Sequence, residues 1–238
     1  MNWRYAGIRT KRTLQLPMPI RKFPDPRKAD DEDGLVAVGG DLSVPSLLLA
    51  YRKGIFPWPA EGLPLLWFCP PQRAILRLEE LHVPRSLERS RKKALREGWR
   101  FSIDLDFAAV VEACSAIPRP GQPGTWILPE MKEAYLELHR AGYAHSVEAW
   151  RGTELVGGLY GVSVDGIFAG ESMFHRESDA SKLALLHLLE VLGSRGCDWI
   201  DIQMMTPHMA MLGARQLRRD EFLDLLERSL KSEVRLLP

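Results

Sequence analysis

The segment 144–169 constrains the fold most, because its pattern indicates consecutive strands joined by tight turns. Strand-forming runs at 144–150 and 155–164 flank a turn-type tetrapeptide, and Asp165-Gly166 is a hairpin signal that leads into a third run. Strands joined in this way pair with their neighbours in the chain. The segment therefore predicts an antiparallel meander.

The remainder of the chain favours helices around this meander. We expect a segment at 1–33 that is irregular or loosely attached, a stiff aromatic loop at 54–71, a strand at 199–203, and helices at 43–52, 86–97, 104–114, 129–140, 178–192 and 220–230. Ser43 and Asp104 are the expected N-caps of the first and third of these helices, and Ser178 or Asp179 is expected to cap the fifth. Helices, a meander, and then a further helix and strand together predict an α+β fold.

Composition excludes several classes of protein. The 238 residues carry a formal net charge of +1, and the three scattered cysteines form neither a disulfide framework nor a zinc-ligand spacing. No stretch approaches the ~20 apolar residues of a membrane span, and the basic N-terminus lacks a following apolar region. We therefore expect a cytoplasmic protein that binds no metal.

Two acids and a carboxamide lie in segments that are otherwise apolar. Glu171 lies in Gly170-Glu171-Ser172-Met173-Phe174, and Asp201 and Gln203 lie in the expected strand 199–203. Buried ionisable groups are costly unless they are paired, so such positions indicate either chemistry or a structural ion pair. From the residues alone, both interpretations stay open.

A row of cations and a set of loop aromatics are possible nucleic-acid contacts. Arg85, Arg89, Lys92 and Lys93 lie on or beside the expected helix 86–97. Such a row could follow a phosphate backbone, but a solvated helix face is the more common interpretation. The tryptophans of the loops, Trp58, Trp67 and Trp126, either fill a core edge or stack on a base.

The order of strands and helices is shared with GNAT-type acyltransferases, but the residues argue against coenzyme A as a cofactor. The segment 174–182, where such enzymes hold pyrophosphate, contains no glycine and two acids. The histidines do not form a metal set, and no nucleophile motif is present. Direct transfer without a covalent intermediate is thus favoured.

Taken together, the motifs resemble those of bacterial leucyl/phenylalanyl-tRNA–protein transferases, over about residues 23–230. The matching segments, in chain order, are 34–42, 51–58, 80–86, 124–127, 144–148, 154–161, Gly170-Glu171-Ser172-Met173-Phe174, Asp201-Ile202-Gln203 and Leu212-Gly213-Ala214-Arg215. So many motifs in one order are far more specific than any single one.

This resemblance implies a GNAT-like catalytic domain at 73–238 preceded by a smaller domain at 1–72. It also implies transfer of Leu or Phe, with Met as a further candidate, from aminoacyl-tRNA to the α-amine of proteins beginning with Arg or Lys. The product would be a degradation signal. No cofactor is expected, because an aminoacyl-tRNA is already an activated ester, and we expect a monomer that does not bind membranes.

The resemblance also assigns the site residues. Asp201 is expected to orient Gln203, Gln203 to contact the attacking amine, and Glu171 to anchor or orient the positive acceptor. The pocket for the aminoacyl side chain is expected to be lined by Leu159, Phe168, Met173, Leu185 and Ile200. Trp58 and Trp126 are expected to hold the terminal adenosine, and Arg85, Arg89, Lys92 and Lys93 to contact the tRNA backbone. The competing hypotheses are a non-catalytic tRNA- or peptide-binding module of the same fold and a coenzyme A-dependent acetyltransferase.

Overall fold

The computed structural model describes residues 15–16, 18–59, 62–117, 127–230 and 236–237. The strands are β1 (Gln15–Leu16), β2 (Leu35–Gly39), β3 (Phe56–Pro57), β4 (Leu66–Phe68), β5 (Gln72–Arg77), β6 (Trp99–Ile103), β7 (Ala144–Arg151), β8 (Glu154–Val164), β9 (Ile167–His175), β10 (Trp199–Gln203) and β11 (Arg215–Arg218). The helices are α1 (Val44–Tyr51), α2 (Arg85–Arg96), α3 (Phe107–Ala116), α4 (Pro129–Arg140), α5 (Ala180–Ser194), α6 (Pro207–Met211) and α7 (Arg219–Ser229). The α+β class is thus confirmed.

A seven-stranded sheet organises most of the chain, in the order β11-β5-β10-β9-β8-β7-β6. The predicted meander is present, since β7, β8 and β9 pair antiparallel in sequence order. Strand β10 pairs parallel to β9 through helix α5, so the carboxyl ends of both strands meet at the same edge. Segments that are 30 residues apart in sequence are therefore neighbours in the sheet.

A smaller sheet, in the order β1-β2-β4-β3, packs against the larger one. One apolar core joins the two, because residues of β2 to β4 pack in the same cluster as residues of α3, α4 and the near face of the large sheet. A second core lies on the opposite face and is formed mainly by α5 and α2. The large sheet is therefore the middle layer between two helical layers.

The described part of the N-terminal segment is attached more firmly than the sequence predicts. Ile20 and Phe23 are buried, and the ring of Phe23 packs edge-on against Trp67 at 4.9 Å. Arg219 of α7 donates to the backbone carbonyls of Ala29 and Asp30. The expectation of a loose attachment is thus wrong for residues 18–33, because long-range contacts replace the missing local structure.

One of the three predictions of helix capping names the wrong residue. Asp106 rather than Asp104 caps α3, accepting from the Ala109 backbone amide at 3.0 Å. Asp104 instead turns back to strand β7, where it accepts from the Ser146 amide at 2.8 Å and lies 2.7 Å from His145 Nδ1. This cross-strand contact replaces the local cap, because it gives hydrogen-bond partners to the buried Ser146 amide and the buried His145 ring at once.

The other two caps lie at the start of their helices but do not act through their side chains. Ser43 precedes α1, yet its hydroxyl donates to Asp41 at 2.7 Å rather than accepting from the helix. Asp179 precedes α5, and its carboxylate accepts from Ser90 at 2.8 Å and from Lys182 at 2.7 Å. No helix in the described part of the chain has the length and apolar character needed to cross a membrane.

Candidate active site

A cavity of about 410 Å³ opens at the edge where β9 and β10 lie side by side. All five residues predicted for the side-chain pocket line it, namely Leu159, Phe168, Met173, Leu185 and Ile200. Met204, Met205 and Met209 extend the same apolar wall. The volume is within the ~300–1,000 Å³ that is usual for small-molecule sites, and methionines let such a wall adapt to different shapes.

Polar groups occupy one side of this cavity, and two β-bulges position them. The pairing of β8 with β9 shifts between Tyr160 and Gly161, which leaves Glu171 as the extra residue on β9. The pairing of β10 with β5 shifts between Asp201 and Gln203, and Gln203 has a φ of +59°. Bulges re-aim side chains, and here they direct Glu171 and Gln203 toward the cavity.

The carboxyl group of Glu171 receives three hydrogen bonds. Tyr51 of α1 donates to Oε1 at 2.8 Å, Tyr135 of α4 donates to Oε2 at 2.7 Å, and the Gln203 amide donates to Oε1 at 2.7 Å. The pKa of Glu171 is raised to about 7, mainly by burial; the two tyrosine hydrogen bonds oppose the rise, and the nearby charge of Asp201 contributes to it. Glu171 is therefore poised to change its protonation state near neutral pH.

Asp201 lies behind the cavity and is locked in place by an arginine. Arg73 of β5 donates from Nε at 2.9 Å and from Nη2 at 2.6 Å to the two carboxylate oxygens. The guanidinium lies over the rings of Phe56 and Phe222, at 4.6 Å and 4.8 Å from their centroids. Asp201 Oδ1 also accepts from the Gln203 backbone amide at 2.9 Å, so the ion pair holds the bulge that carries Gln203.

The three residues predicted to be catalytic are thus brought together. Gln203 contacts Asp201 through its backbone and Glu171 through its side chain. Sequence reasoning missed Arg73. Its only signal is its position directly before the apolar run Ala74-Ile75-Leu76. The same reasoning also missed Tyr51 and Tyr135, which periodicity places on apolar helix faces.

Comparisons with known proteins identify the family of the chain. A family model described as "Leucyl/phenylalanyl-tRNA protein transferase" matches residues 75–227, and the model of that family's N-terminal domain matches residues 40–71. The chain belongs to this family. The resemblance stated from the motifs is confirmed, and the domain boundary between residues 72 and 73 stays a prediction.

Curated members of the family are similar over almost the whole chain. The leucyl/phenylalanyl-tRNA–protein transferase of Nitratidesulfovibrio vulgaris (strain DP4) is 48% identical over 225 residues, which is 94% of this chain and 94% of that protein. The one from Anaeromyxobacter sp. (strain Fw109-5) is 51% identical over 217 residues, covering 91% and 90%. The protein is therefore an aminoacyltransferase of this family, which transfers aminoacyl groups from tRNA to proteins.

Of the three loop tryptophans, Trp58 and Trp126 are the two predicted to hold the terminal adenosine. Trp58 lines the cavity at its rim and is largely buried, and its backbone amide donates to Leu66 at 2.9 Å. Trp67 is fully buried and donates to the Gly39 carbonyl at 2.8 Å, so it is a core residue. Trp126 lies outside the described residues.

The cations predicted for tRNA contact form an exposed face of α2. Arg85, Arg89, Lys92 and Lys93 are all exposed. Lys92 and Lys93 have only long intrahelical pairs, at 3.8 Å to Glu88 and 3.7 Å to Glu97. Exposed pairs of this kind contribute little, so the positive charge of this face is available to a polyanion.

The described residues contain no group of three or more His, Cys, Asp or Glu side chains that could hold a metal ion. His208 is the histidine that lines the cavity, and burial lowers its pKa, helped by the charge of Lys182. At neutral pH its imidazole is therefore uncharged, and it adds a polar but neutral group to the apolar wall.

Proposed function

We propose that this aminoacyltransferase moves Leu or Phe from aminoacyl-tRNA to the α-amine of proteins whose first residue is Arg or Lys. Met is a third candidate side chain, and the product marks the protein for degradation. The observation that carries the proposal is the apolar cavity of about 410 Å³ with Glu171 and Gln203 on one side. An apolar side chain that is unbranched at Cβ fits such a wall, and the reacting ester would lie beside the polar groups.

The reaction needs positioning more than activation. The amine nitrogen forms a bond to the ester carbonyl carbon, the bond to the ribose oxygen breaks, and the ribose regains a hydroxyl proton. The ammonium form of the acceptor loses two protons overall, one to solvent and one to the ribose oxygen. Holding the amine and the ester at attack distance supplies much of the acceleration.

Within this scheme, we assign Gln203 to the attacking amine. Its amide nitrogen already donates to Glu171 at 2.7 Å, which leaves the amide oxygen to accept a hydrogen bond from the amine. Asp201 orients Gln203 through the backbone amide at 2.9 Å, and Arg73 fixes Asp201. A carboxamide is a poor base, so water or the tRNA ribose hydroxyl takes the proton.

Selectivity for the aminoacyl group arises from the shape of the cavity. Among the described residues, the wall contains Leu, Ile, Phe and Met side chains, and Glu171 is the acid that lines it. We therefore propose that β-branched amino acids are rejected by shape rather than by a polar contact. The size of such discrimination is ~1–3 kcal/mol for each methylene in an apolar pocket. The methionines would let one pocket accept both Leu and Phe.

The tRNA would be held at two places. Trp58 stacks on the terminal adenosine, together with Trp126, and the exposed cations of α2 contact the phosphate backbone. Backbone contacts are independent of sequence, which suits an enzyme that selects the amino acid rather than the tRNA. Because aminoacyl-tRNA is a cytoplasmic substrate, we propose that the protein acts there, as a monomer.

Transfer of labelled leucine tests the proposal. The protein is incubated with radiolabelled leucyl-tRNA and an Arg-starting peptide, alongside a peptide of the same sequence with an acetylated N-terminus. We expect label in the free-amine peptide alone. Intact tRNA binding without any transfer would instead support a non-catalytic binding module, and acetylation from acetyl-coenzyme A would support an acetyltransferase.

A further inference from the structure

Glu171, Tyr51 and Tyr135 form a closed ring of three oxygen–oxygen contacts. The two hydroxyl oxygens lie 2.8 Å apart, Tyr51 Oη lies 2.8 Å from Glu171 Oε1, and Tyr135 Oη lies 2.7 Å from Oε2. All three distances match those of O–H···O hydrogen bonds. Each contact therefore requires one hydrogen between its two oxygens.

The number of hydrogens decides the protonation state of the carboxyl group. Each tyrosine brings a single hydroxyl hydrogen, so two phenols fill only two of the three contacts. With an ionised Glu171, one pair of oxygens would face each other at hydrogen-bond distance with no hydrogen between them. A protonated Glu171 supplies the third hydrogen and closes the ring.

The amide of Gln203 fixes the direction of the ring. Its nitrogen donates to Oε1, which also accepts from Tyr51, so Oε1 is the carbonyl oxygen of the acid. The acid hydrogen is then on Oε2 and is donated to Tyr135, which reverses the direction that this contact has beside an ionised carboxylate. Tyr135 in turn donates to Tyr51, and every hydrogen has an acceptor.

The surrounding charges favour the same state. Tyr51 (α1) and Tyr135 (α4) face the carboxyl group as neutral phenols, because burial raises the pKa of both well above the usual value, and Tyr160 (β8) lines the same cavity. The nearest cation is Arg73 (β5), and both oxygens of Asp201 (β10) already engage it.

An ionised Glu171 would thus be a buried charge with no cation of its own. Consistent with this, burial raises its pKa to about 7.

We propose that Glu171 is a neutral carboxylic acid in the free enzyme, and that it loses its proton when a primary ammonium group binds in the cavity. The O–H bond at Oε2 breaks, the proton goes to solvent, and the ammonium group becomes the partner of the new carboxylate. Glu171 thereby recognises an ammonium group, and its own side chain carries no charge until the ligand is present. The second half rests on the proposed function, in which the ammonium belongs either to the aminoacyl group or to the acceptor.

Infrared spectroscopy of the free protein tests the first half. The difference spectrum between wild type and Glu171→Gln, taken about one pH unit below 7, should contain the carbonyl band of a protonated carboxylic acid. The same difference for the exposed Glu154 should contain only ionised-carboxylate bands. Tyr51→Phe should shift the acid band, because it opens the ring. A purely ionised signature for Glu171 would overturn the proposal.

Calorimetric titration tests the second half. A leucine amide of 3′-amino-3′-deoxyadenosine and an Arg-starting peptide are each titrated in two buffers of different ionisation enthalpy, about one pH unit below 7. The ligand whose ammonium contacts Glu171 should release close to one proton in wild type and none in Glu171→Gln. A leucine analogue without its α-amine is the matched control for the first ligand and should release none.

The outcomes separate the two proposals. Binding of both ammonium ligands with no proton release would refute the proposal that Glu171 loses its proton on binding, and would leave the transfer function intact. Failure of both ligands to bind would count against the transfer function, while the infrared result would still decide whether Glu171 is neutral.

Discussion

The side-chain amide of Gln203 donates to Glu171 Oε1 at 2.7 Å, although the two residues are 32 positions apart in the chain. The bond joins the middle of β9 to the carboxyl end of the parallel strand β10, and both residues line the cavity. Each of the two side chains is placed there by a bulge in its own strand. The polar side of the site is therefore a product of sheet irregularity.

Removal of Asp201 should abolish transfer and leave tRNA affinity nearly unchanged. Asp201→Ala leaves Arg73 buried without its partner, which costs about 3–5 kcal/mol of the free energy of unfolding. Asp201→Asn keeps the shape and should cost less stability while transfer still falls. Transfer rates, tRNA binding and chemical denaturation check this, and a large loss of tRNA affinity in the folded Asn variant would show that Asp201 is structural.

The stability of the wild type should depend on pH through Glu171. Its folded pKa of about 7 exceeds the ordinary value of 4.5, so the native state holds a proton that the unfolded state has lost between these values. The free energy of unfolding should therefore fall as pH rises from about 4.5 to about 7, by at most ~1.4 kcal/mol per pH unit. Glu171→Gln should lack this component when both proteins are denatured across that range.

A narrower cavity should change the choice of amino acid. Met173→Phe adds a rigid ring to the cavity wall, so transfer of Phe should fall about tenfold or more relative to transfer of Leu. Competition between leucyl- and phenylalanyl-tRNA measures the ratio. Met211→Leu, at an exposed position outside the cavity wall, is the control and should leave the ratio unchanged.

Reversal of charge on α2 should weaken tRNA binding and flatten its dependence on salt. Replacement of Arg89, Lys92 and Lys93 by Glu removes three potential phosphate contacts. Each contact contributes ~0.7–0.9 to the slope of log affinity against log salt, so the slope should fall by about 2. An equal number of reversals at the exposed Lys22, Arg140 and Arg228 is the control, and a similar loss in both variants would remove α2 from the interface.

Loss of the Trp58 ring should weaken binding of the terminal adenosine. A stacked base is worth ~1–3 kcal/mol, so Trp58→Leu should reduce the affinity for an aminoacyl-adenosine analogue by about tenfold or more. Trp58→Phe keeps an aromatic face and should retain part of the affinity. Equal losses in the two variants would indicate that Trp58 shapes the cavity and does not stack.

Local patterns in the sequence predicted the elements that local interactions determine. The meander, the helix before β10 and the strand that carries Asp201 all follow from turn residues and from periodicity. Strand β9 is longer than expected, because Gly170 and Glu171 look like the end of a strand although the pairing with β8 continues to His175. The expected loop 54–71 contains β3 and β4, which pair with each other although Pro57 of β3 has no amide hydrogen to donate.

The parts that sequence could not predict depend on distant partners. Arg73 and Asp201 are 128 positions apart, and no local signal connects the short strand β5 to strand β10. Tyr51 and Tyr135 are 84 apart and lie on apolar helix faces, where a tyrosine is usually a packing residue. The pocket residues were expected only through the family resemblance, since burial alone does not distinguish a cavity wall from a packed core.

A structure of the protein with a leucine amide of 3′-amino-3′-deoxyadenosine tests the central claim most directly. The account predicts the leucine side chain between Leu159, Met173 and Ile200, the α-amine within hydrogen-bond distance of Glu171 or Gln203, and the adenine on Trp58. A ligand bound on another face of the sheet, or in the cavity with its amine pointing away from both polar groups, would contradict it.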